Sequence, residues 1–370
     1  MNQYLFVHIF WLDEIKFSPS LIQYINDPEN GFDVSQHFFV LVSPKVYEMC
    51  RYDNVVLDDQ FQNDRCANLI NKYAERAEAL IVHSLCDPIE LLKIKSKYLS
   101  KIVWRSWGHD AIFPYQPHQG KWLSNFAKHI LEKTWKRRIK FFKAICGANL
   151  VDEIDIREKF GNVQTYPFLY RITGKEMETI GVEGNLSAKK NDGLINILVG
   201  HSGYDNDNHI FILNKLMAYR EENVHIYLVL TYGQKDYIDT IKKHVSEQWG
   251  EKATIIEEFV PYEQYRTFVQ SIDIAILDGR NSYALGNVTL LLRAKKKLIV
   301  NPMGVIRKAF DQDAVPYLTT DTAFDLPFIE FAAPAVYREI SCQNLLIKTR
   351  EEQIQLMKVT FACIAGNEAE

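Results

Sequence analysis

Short apolar runs alternate with longer helical stretches along the whole chain, and this alternation limits the fold more than any other feature. In the first half the runs are "YLFVHIF", "HFFVLVS", "ALIVHSL" and "KIVWRSW". In the second half they are "NILVGHS", "VHIYLVLTY", "ATIIEEF", "IDIAILD" and "KLIVN". Helical patterns fall between them, as at Cys66–Ala79, Tyr237–Gln248 and Tyr262–Gln270. Short continuous strands separated by helices predict parallel sheets covered on both faces. Two such series predict an α/β protein with two Rossmann-like, doubly wound domains.

Length agrees, because 370 residues exceed what one ordinary core organises. The polar, glycine-bearing stretch Thr173–Gly193 reads as the linker. The expected domains are residues 1–175 and 190–340, with a C-terminal helix in 341–370 packing across the two. A net charge of -4 gives no chain-wide basic field, so nucleic acid is not an expected partner. Cys50, Cys66, Cys86, Cys146, Cys342 and Cys363 form no CxxC pair, which predicts reduced thiols and no metal-ligand spacing. The N-terminus has no signal-peptide pattern and reads as a first strand. No run reaches the roughly 20 apolar residues of a membrane span. One segment, Lys121–Lys143, interleaves eight bases and a single acid, Glu132, with Trp122, Phe126, Trp135, Phe141 and Phe142. It fits either an anionic membrane surface or a solvated helix whose aromatics enter the core.

Chemistry is expected at strand ends, where open α/β sheets bind ligands. "VGHSGYDNDNH" places Gly200, His201, Ser202 and Gly203 after a strand, with backbone N–H groups available to an anion. Asp205 and Asp207 resemble a DxD metal motif but are read as caps of the coming helix. A second loop, "ILDGRNSYALGNVTLLL", offers Arg280 for a phosphate oxygen and Gly286, Asn287 and Thr289 at a helix start. Glu257 and Glu258 follow a strand and suit a base or ribose. In the first half, Arg105, Trp107, His109 and Asp110 cluster after a strand. There a tryptophan face suits a sugar and a carboxylate suits a general base. His8, Asp13 and His83 also sit at or just after strand ends. For each, an ordinary turn or core role is the competing reading.

Together, "WRSWGHDAIFPY", "ILVGHSGYDNDNHI", "LVLTYGQKDYIDTIKKH" and "EEFVPYEQYRTFVQSIDIAILDGRNSYALGNVTLLL" resemble the TDP-N-acetylfucosamine:lipid II N-acetylfucosaminyltransferases, glycosyltransferase family 56. The likeness runs from about Lys101 to Asn301. It keeps Trp104, Trp107, Gly108 and Asp110 of one family stretch, and Val199, Gly200, Ser202, Gly203, Asn208 and His209 of another. In the late loop Gly286 and Thr289 fit, while the surrounding "RNSYALGN" differs.

The resemblance implies a GT-B fold with an interdomain cleft, and a metal-independent transfer with no cofactor. A nucleoside-diphosphate sugar, TDP-linked in the family, would be the donor. Its site would include Gly200–Gly203, Tyr232, Glu258, Phe259, Arg280, Gly286, Asn287 and Thr289. The acceptor would be a lipid-linked or polysaccharide glycan in cell-envelope synthesis. Asp110, His83 or Asp13 would serve as base, with His8, Arg105, Trp107 and His109 beside the acceptor. The implied place is the cytoplasmic face of the membrane, with Lys121–Lys143 in peripheral contact. A GDP- or UDP-sugar donor with a soluble acceptor is the alternative within enzymes, and a non-catalytic nucleotide-sugar-binding protein is the alternative outside them.

Overall fold

The computed structural model describes residues 3–12, 15, 17–59, 66–85, 88–107, 122–169, 193–282, 284–338 and 349–366. The chain divides into two compact units, residues 1–174 with 348–370, and residues 175–347.

The first unit holds seven parallel strands: β1 (Tyr4–Phe10), β2 (His37–Leu41), β3 (Val55–Leu57), β4 (Ala77–His83), β5 (Ile102–Arg105), β6 (Ala144–Gly147) and β7 (Thr165–Pro167). Their spatial order is β3-β2-β1-β4-β5-β6-β7. Side chains alternate between two buried faces, which is why the strands read as continuous apolar runs. Val7, Ile9, Val40, Leu80, Val82 and Trp104 join one core with the helix Cys66–Tyr73. Phe6, Phe10, Phe39, Ile81 and Val103 join the other with Met357, Phe361 and Ile364 of the C-terminal helix Arg350–Ala365. That helix starts in a Thr349/Glu352 capping box, satisfying end N–H groups reciprocally. It is further held by Thr360, whose hydroxyl donates to the Pro167 carbonyl at 2.8 Å. The helix pattern from Cys66 stops at Tyr73 instead of reaching Ala79, because a turn at Ala74–Arg76 leads straight into β4.

The second unit holds six parallel strands: β8 (Ile195–Val199), β9 (Val224–Val229), β10 (Ala253–Ile256), β11 (Ile274–Leu277), β12 (Lys297–Val300) and β13 (Leu318–Thr319), in the order β10-β9-β8-β11-β12-β13. Both sheets reverse direction of winding beside their first strand, between β1 and β4 and between β8 and β11. Such switch points leave a crevice at the carboxyl ends of the strands. Among the described residues no helix is long and apolar enough to cross a membrane.

Candidate active site

In the second unit the two candidate loops meet at the switch point. Asn208 follows the β8 loop in a left-handed conformation (φ 53°), and its Nδ2 donates to Asp278 Oδ2 at 2.8 Å. Asp278 ends the β11 run and is buried. Its other oxygen accepts from Asn301 Nδ2 at 3.0 Å and Thr320 Oγ1 at 2.6 Å. One carboxylate thus ties together the loops after β8, β11 and β12 and the end of β13.

The glycine loop is closed by its own carboxylate. Asp207 is buried, and its Oδ2 accepts from His201 N (3.1 Å), Ser202 N (3.1 Å) and Ser202 Oγ (3.0 Å). Its Oδ1 lies 2.9 Å from His201 Nδ1. Burial raises the Asp207 pKa, but the hydrogen bond and charge of His201, with His209 nearby, outweigh it and hold it below the ordinary value. Gly200 N donates to the Ile276 carbonyl at 2.9 Å, and Gly203 N to the Tyr232 carbonyl at 2.6 Å. All four N–H groups of Gly200–Gly203 are therefore engaged within the protein. Asp207 does cap, but it caps the loop before it. The following helix, His209–Leu216, starts at Asn208 without a side-chain cap, and Asp205 is exposed.

Close approach explains three of the glycines. Gly203 pairs with Gly233 in an isolated parallel bridge, and a Cβ at Gly233 would overlap the Gly203 backbone. A Cβ on Gly200 (φ 68°) would overlap His209 Nε2. The His209 ring is fully buried with both nitrogens unpartnered, and burial lowers its pKa to about 4.

The other loop is open. Helix Leu285–Arg293 begins at Ala284 (φ 59°) with no side-chain cap, so its first-turn N–H groups lack intrahelical acceptors. Nothing lies within 4 Å of where a Gly286 Cβ would stand. Asn287 lies against Tyr265, whose hydroxyl burial pushes up to about 12. Thr289 is buried and its hydroxyl donates back to the Leu285 carbonyl at 3.0 Å, so it braces the helix. Arg280 and Glu258 are exposed, Tyr232 is exposed, and Phe259 is 85% exposed just beyond β10. Glu257 is held by Lys242 at 2.7 Å.

In the first unit, Asp13, His109 and Asp110 lie outside the described residues. His83 ends β4, buried, its ring stacked on Phe10 at 3.8 Å between centroids. His8 is fully buried, and both its ring nitrogens face other imidazoles, His83 at 3.2 Å and His37 at 3.0 Å. An acceptor therefore cannot reach His8. Arg105 is also buried, its Nε donating to the Phe168 carbonyl at 2.9 Å and its Nη1 to the Ser106 carbonyl. Trp107 is half-buried against Phe17, at 5.7 Å between ring centroids. Trp104 belongs to the core, edge-on to Phe160 at 5.3 Å.

The basic segment forms helix Trp122–Ile139. Trp135 enters the core, whereas Phe126, Ile130 and Phe141 are exposed. Lys133, Lys136, Arg137, Lys140 and Lys159 line a cavity of ≈ 480 Å³ there. Sequence reasoning missed His37 and Asp278. His37 opens the β2 run and Asp278 closes the β11 run, and a polar residue at the edge of such a run is the signal that was available.

Comparison with known proteins fits this architecture. A glycosyltransferase from Rickettsia africae superposes with TM-score 0.63 at 10% identity, over 100% of both chains. Anabaena HepE in complex with UDP-glucose gives 0.58 at 11% identity, covering 96% of this chain and 99% of its own. The α,α-trehalose 6-phosphate synthase of Burkholderia multivorans gives 0.54 at 10% identity, covering 99% and 98%. At these identities the likeness shows the fold, which is GT-B. A comparison with curated protein sequences finds no significant match. The family model described as 4-alpha-L-fucosyltransferase, glycosyl transferase group 56, matches residues 6–336. With two switch-point crevices and a model match over most of its length, the chain belongs to that family and is a glycosyltransferase.

Proposed function

We propose that this glycosyltransferase moves a fucose-like or deoxy-aminosugar from a nucleoside diphosphate to a lipid-linked or polysaccharide acceptor in cell-envelope glycan synthesis. The resemblance favours a TDP-linked 4-acetamido-4,6-dideoxygalactose donor. The observation that carries the reading is the open amino end of helix Leu285–Arg293 at the switch point of the second sheet. Uncapped N–H groups and the helix dipole favour the donor's diphosphate, and Gly286 lets it approach closely. Arg280 adds a charge at the same strand edge. Tyr232 and Phe259 offer aromatic faces to the nucleoside, and Glu258 an acceptor for ribose hydroxyls.

The Gly200–Gly203 loop then forms a rigid wall of the donor site, because its N–H groups are already engaged by Asp207 and by the Ile276 and Tyr232 carbonyls. Stabilisation of the leaving diphosphate falls to the helix end and Arg280, with no metal and no cofactor in the reaction. Asp110 is the proposed base, with His83 and Asp13 as alternatives, and His109 and Trp107 beside the acceptor. The exposed Phe126, Ile130 and Phe141, with the excess of bases in the segment, support contact of residues 121–143 with an anionic membrane.

The test is transfer of labelled sugar from TDP-, UDP- and GDP-linked donors to lipid-linked and soluble glycans, with EDTA present. Asp110→Asn should lower turnover by about a hundredfold or more while donor affinity stays. Binding of a donor without turnover on any acceptor would instead indicate a non-catalytic sugar-nucleotide-binding protein.

A further inference from the structure

Three neighbouring strands of the second sheet end in register. Leu277 of β11 stands opposite Val300 of β12, and Val300 opposite Thr319 of β13. The next residue of each chain segment is polar, so Asp278, Asn301 and Thr320 fall side by side just beyond the carboxyl edge. Their exposures are 3%, 7% and 3%. They therefore meet one another rather than a ligand. Asp278 Oδ1 accepts from both neighbours, and its Oδ2 accepts from Asn208, which brings in the loop after β8.

The main chain that follows β11 is laced to the loop that follows β12. Asn301 Nδ2 also donates to the Asp278 carbonyl at 3.0 Å, and Asn301 Oδ1 accepts from Met303 N at 2.9 Å. A Cβ on Gly304 would stand 2.9 Å from the Gly279 carbonyl oxygen, so the two backbones touch there. Val305 N donates to the Arg280 carbonyl at 3.1 Å. Three successive carbonyls, from Asp278 to Arg280, are thus held against the β12 loop. The Arg280 side chain itself is exposed.

Packing alone does not call for this arrangement. A buried carboxylate is a costly way to join strand ends, because well-packed apolar side chains of similar volume often serve stability as well or better. A fully hydrogen-bonded network adds a single fixed geometry. The carboxylate does not suit the donor either, since its negative charge opposes that of a diphosphate. Its chemistry fits a group that orients its neighbours.

We propose that Asp278 is a positioning residue of the donor site: it fixes the segment bearing Arg280 relative to the β8 loop, so that Arg280 meets the donor's diphosphate from a main chain already in place. This role rests on the donor reading above, whereas the ties themselves rest on the distances between these residues. Binding then has to order only the Arg280 side chain, which reduces the entropy lost on association. A charge held in advance also stabilises a departing diphosphate without reorganising during the reaction. Asn208, Asn301 and Thr320 act through Asp278, and Asp278 acts through Arg280.

Thr320→Val tests the role, because it removes one hydroxyl donor at a buried position and keeps the side-chain shape. Asn208→Gly is the second variant: glycine suits the left-handed φ of 53°, so the tie to Asp278 is lost while the loop keeps its conformation. Without ligand, the Val305 amide of the full chain should be protected from hydrogen exchange in the wild type and exchange about tenfold faster or more in Thr320→Val. Unchanged exchange would overturn the ties. Calorimetry with TDP, and separately UDP, should show each variant binding about fivefold more weakly or worse. In an Arg280→Ala background the same substitutions should cost less than about twofold, because the group they position is gone. Equal losses with and without Arg280 would overturn positioning and leave a structural brace. If Thr320→Val does not fold, the same cycle with Asn208→Gly decides. Wild-type nucleotide affinity in both variants would overturn the role and leave the donor site standing. A wild-type protein that binds neither nucleotide would remove the donor reading and this role together, leaving only the protected Val305 amide.

Discussion

Asp207→Asn separates the structural reading of the DND stretch from the metal reading. The native carboxylate accepts three hydrogen bonds on Oδ2, at 3.1, 3.1 and 3.0 Å, and faces His201 Nδ1 at 2.9 Å. A hydrogen bond to a charged acceptor contributes about 1.5–3 kcal/mol and one to a neutral acceptor about 0.5–1.5. Asparagine keeps the shape and an acceptor oxygen, so each of three bonds weakens by about 1 kcal/mol. The expected loss is about 3 kcal/mol, and Asp207→Ala, which leaves buried donors unmatched, should cost more. Urea unfolding at pH 7 measures both. The sign with pH is fixed by the lowered Asp207 pKa. Stabilisation by the carboxylate is complete above the unfolded value of 3.8 and is lost as pH falls through the folded value, so the deficit of the variant should shrink in acid. Wild-type stability in Asp207→Asn, together with activity that disappears and returns with added manganese, would refute the reasoning and restore the metal motif.

Acid should destabilise each unit well before its carboxylates titrate. His37 and His209 have pKa values lowered from 6.5 to about 3 and about 4, so stability is full above the unfolded value and falls as pH drops below it. Unfolding free energy should fall by about 2 kcal/mol per histidine between pH 7 and pH 5, and a flat profile would contradict their burial as neutral rings. Gly233→Ala must displace the Gly203 backbone at φ +147°, and a loss of about 3 kcal/mol or more in denaturant unfolding is expected. Gly286→Ala meets open space in a helix, so stability should rise by up to about 1 kcal/mol while donor affinity falls. Unchanged affinity by calorimetry would move the diphosphate away from that helix end.

The longer strands were legible because strands buried on both faces carry continuous apolar side chains, as "YLFVHIF" does for β1 from Tyr4 to Phe10. β3, β6, β7 and β13 were missed, whereas β5, β10, β11 and β12, four residues each, were legible in "KIVWRSW", "ATIIEEF", "IDIAILD" and "KLIVN". The positions of the two candidate loops followed from strand ends and glycines. Their internal bonding did not, because the Asp207 contacts reach back five and six residues through a turn whose geometry no periodicity encodes. His8 looked like an edge residue, yet its alignment with His37 and His83 depends on register between strands 29 and 75 residues apart. Sequence spacing alone cannot supply that register.

The central claim is that the donor's diphosphate seats on the open helix end of the second unit. Hydrogen–deuterium exchange of the full chain with and without saturating TDP, and separately UDP, tests it most directly. Added protection concentrated at residues 284–288, with smaller effects at Tyr232 and residues 257–260, is the predicted result. Protection confined to the strand ends of the first unit, or to residues 200–203 with 284–288 unchanged, would contradict it.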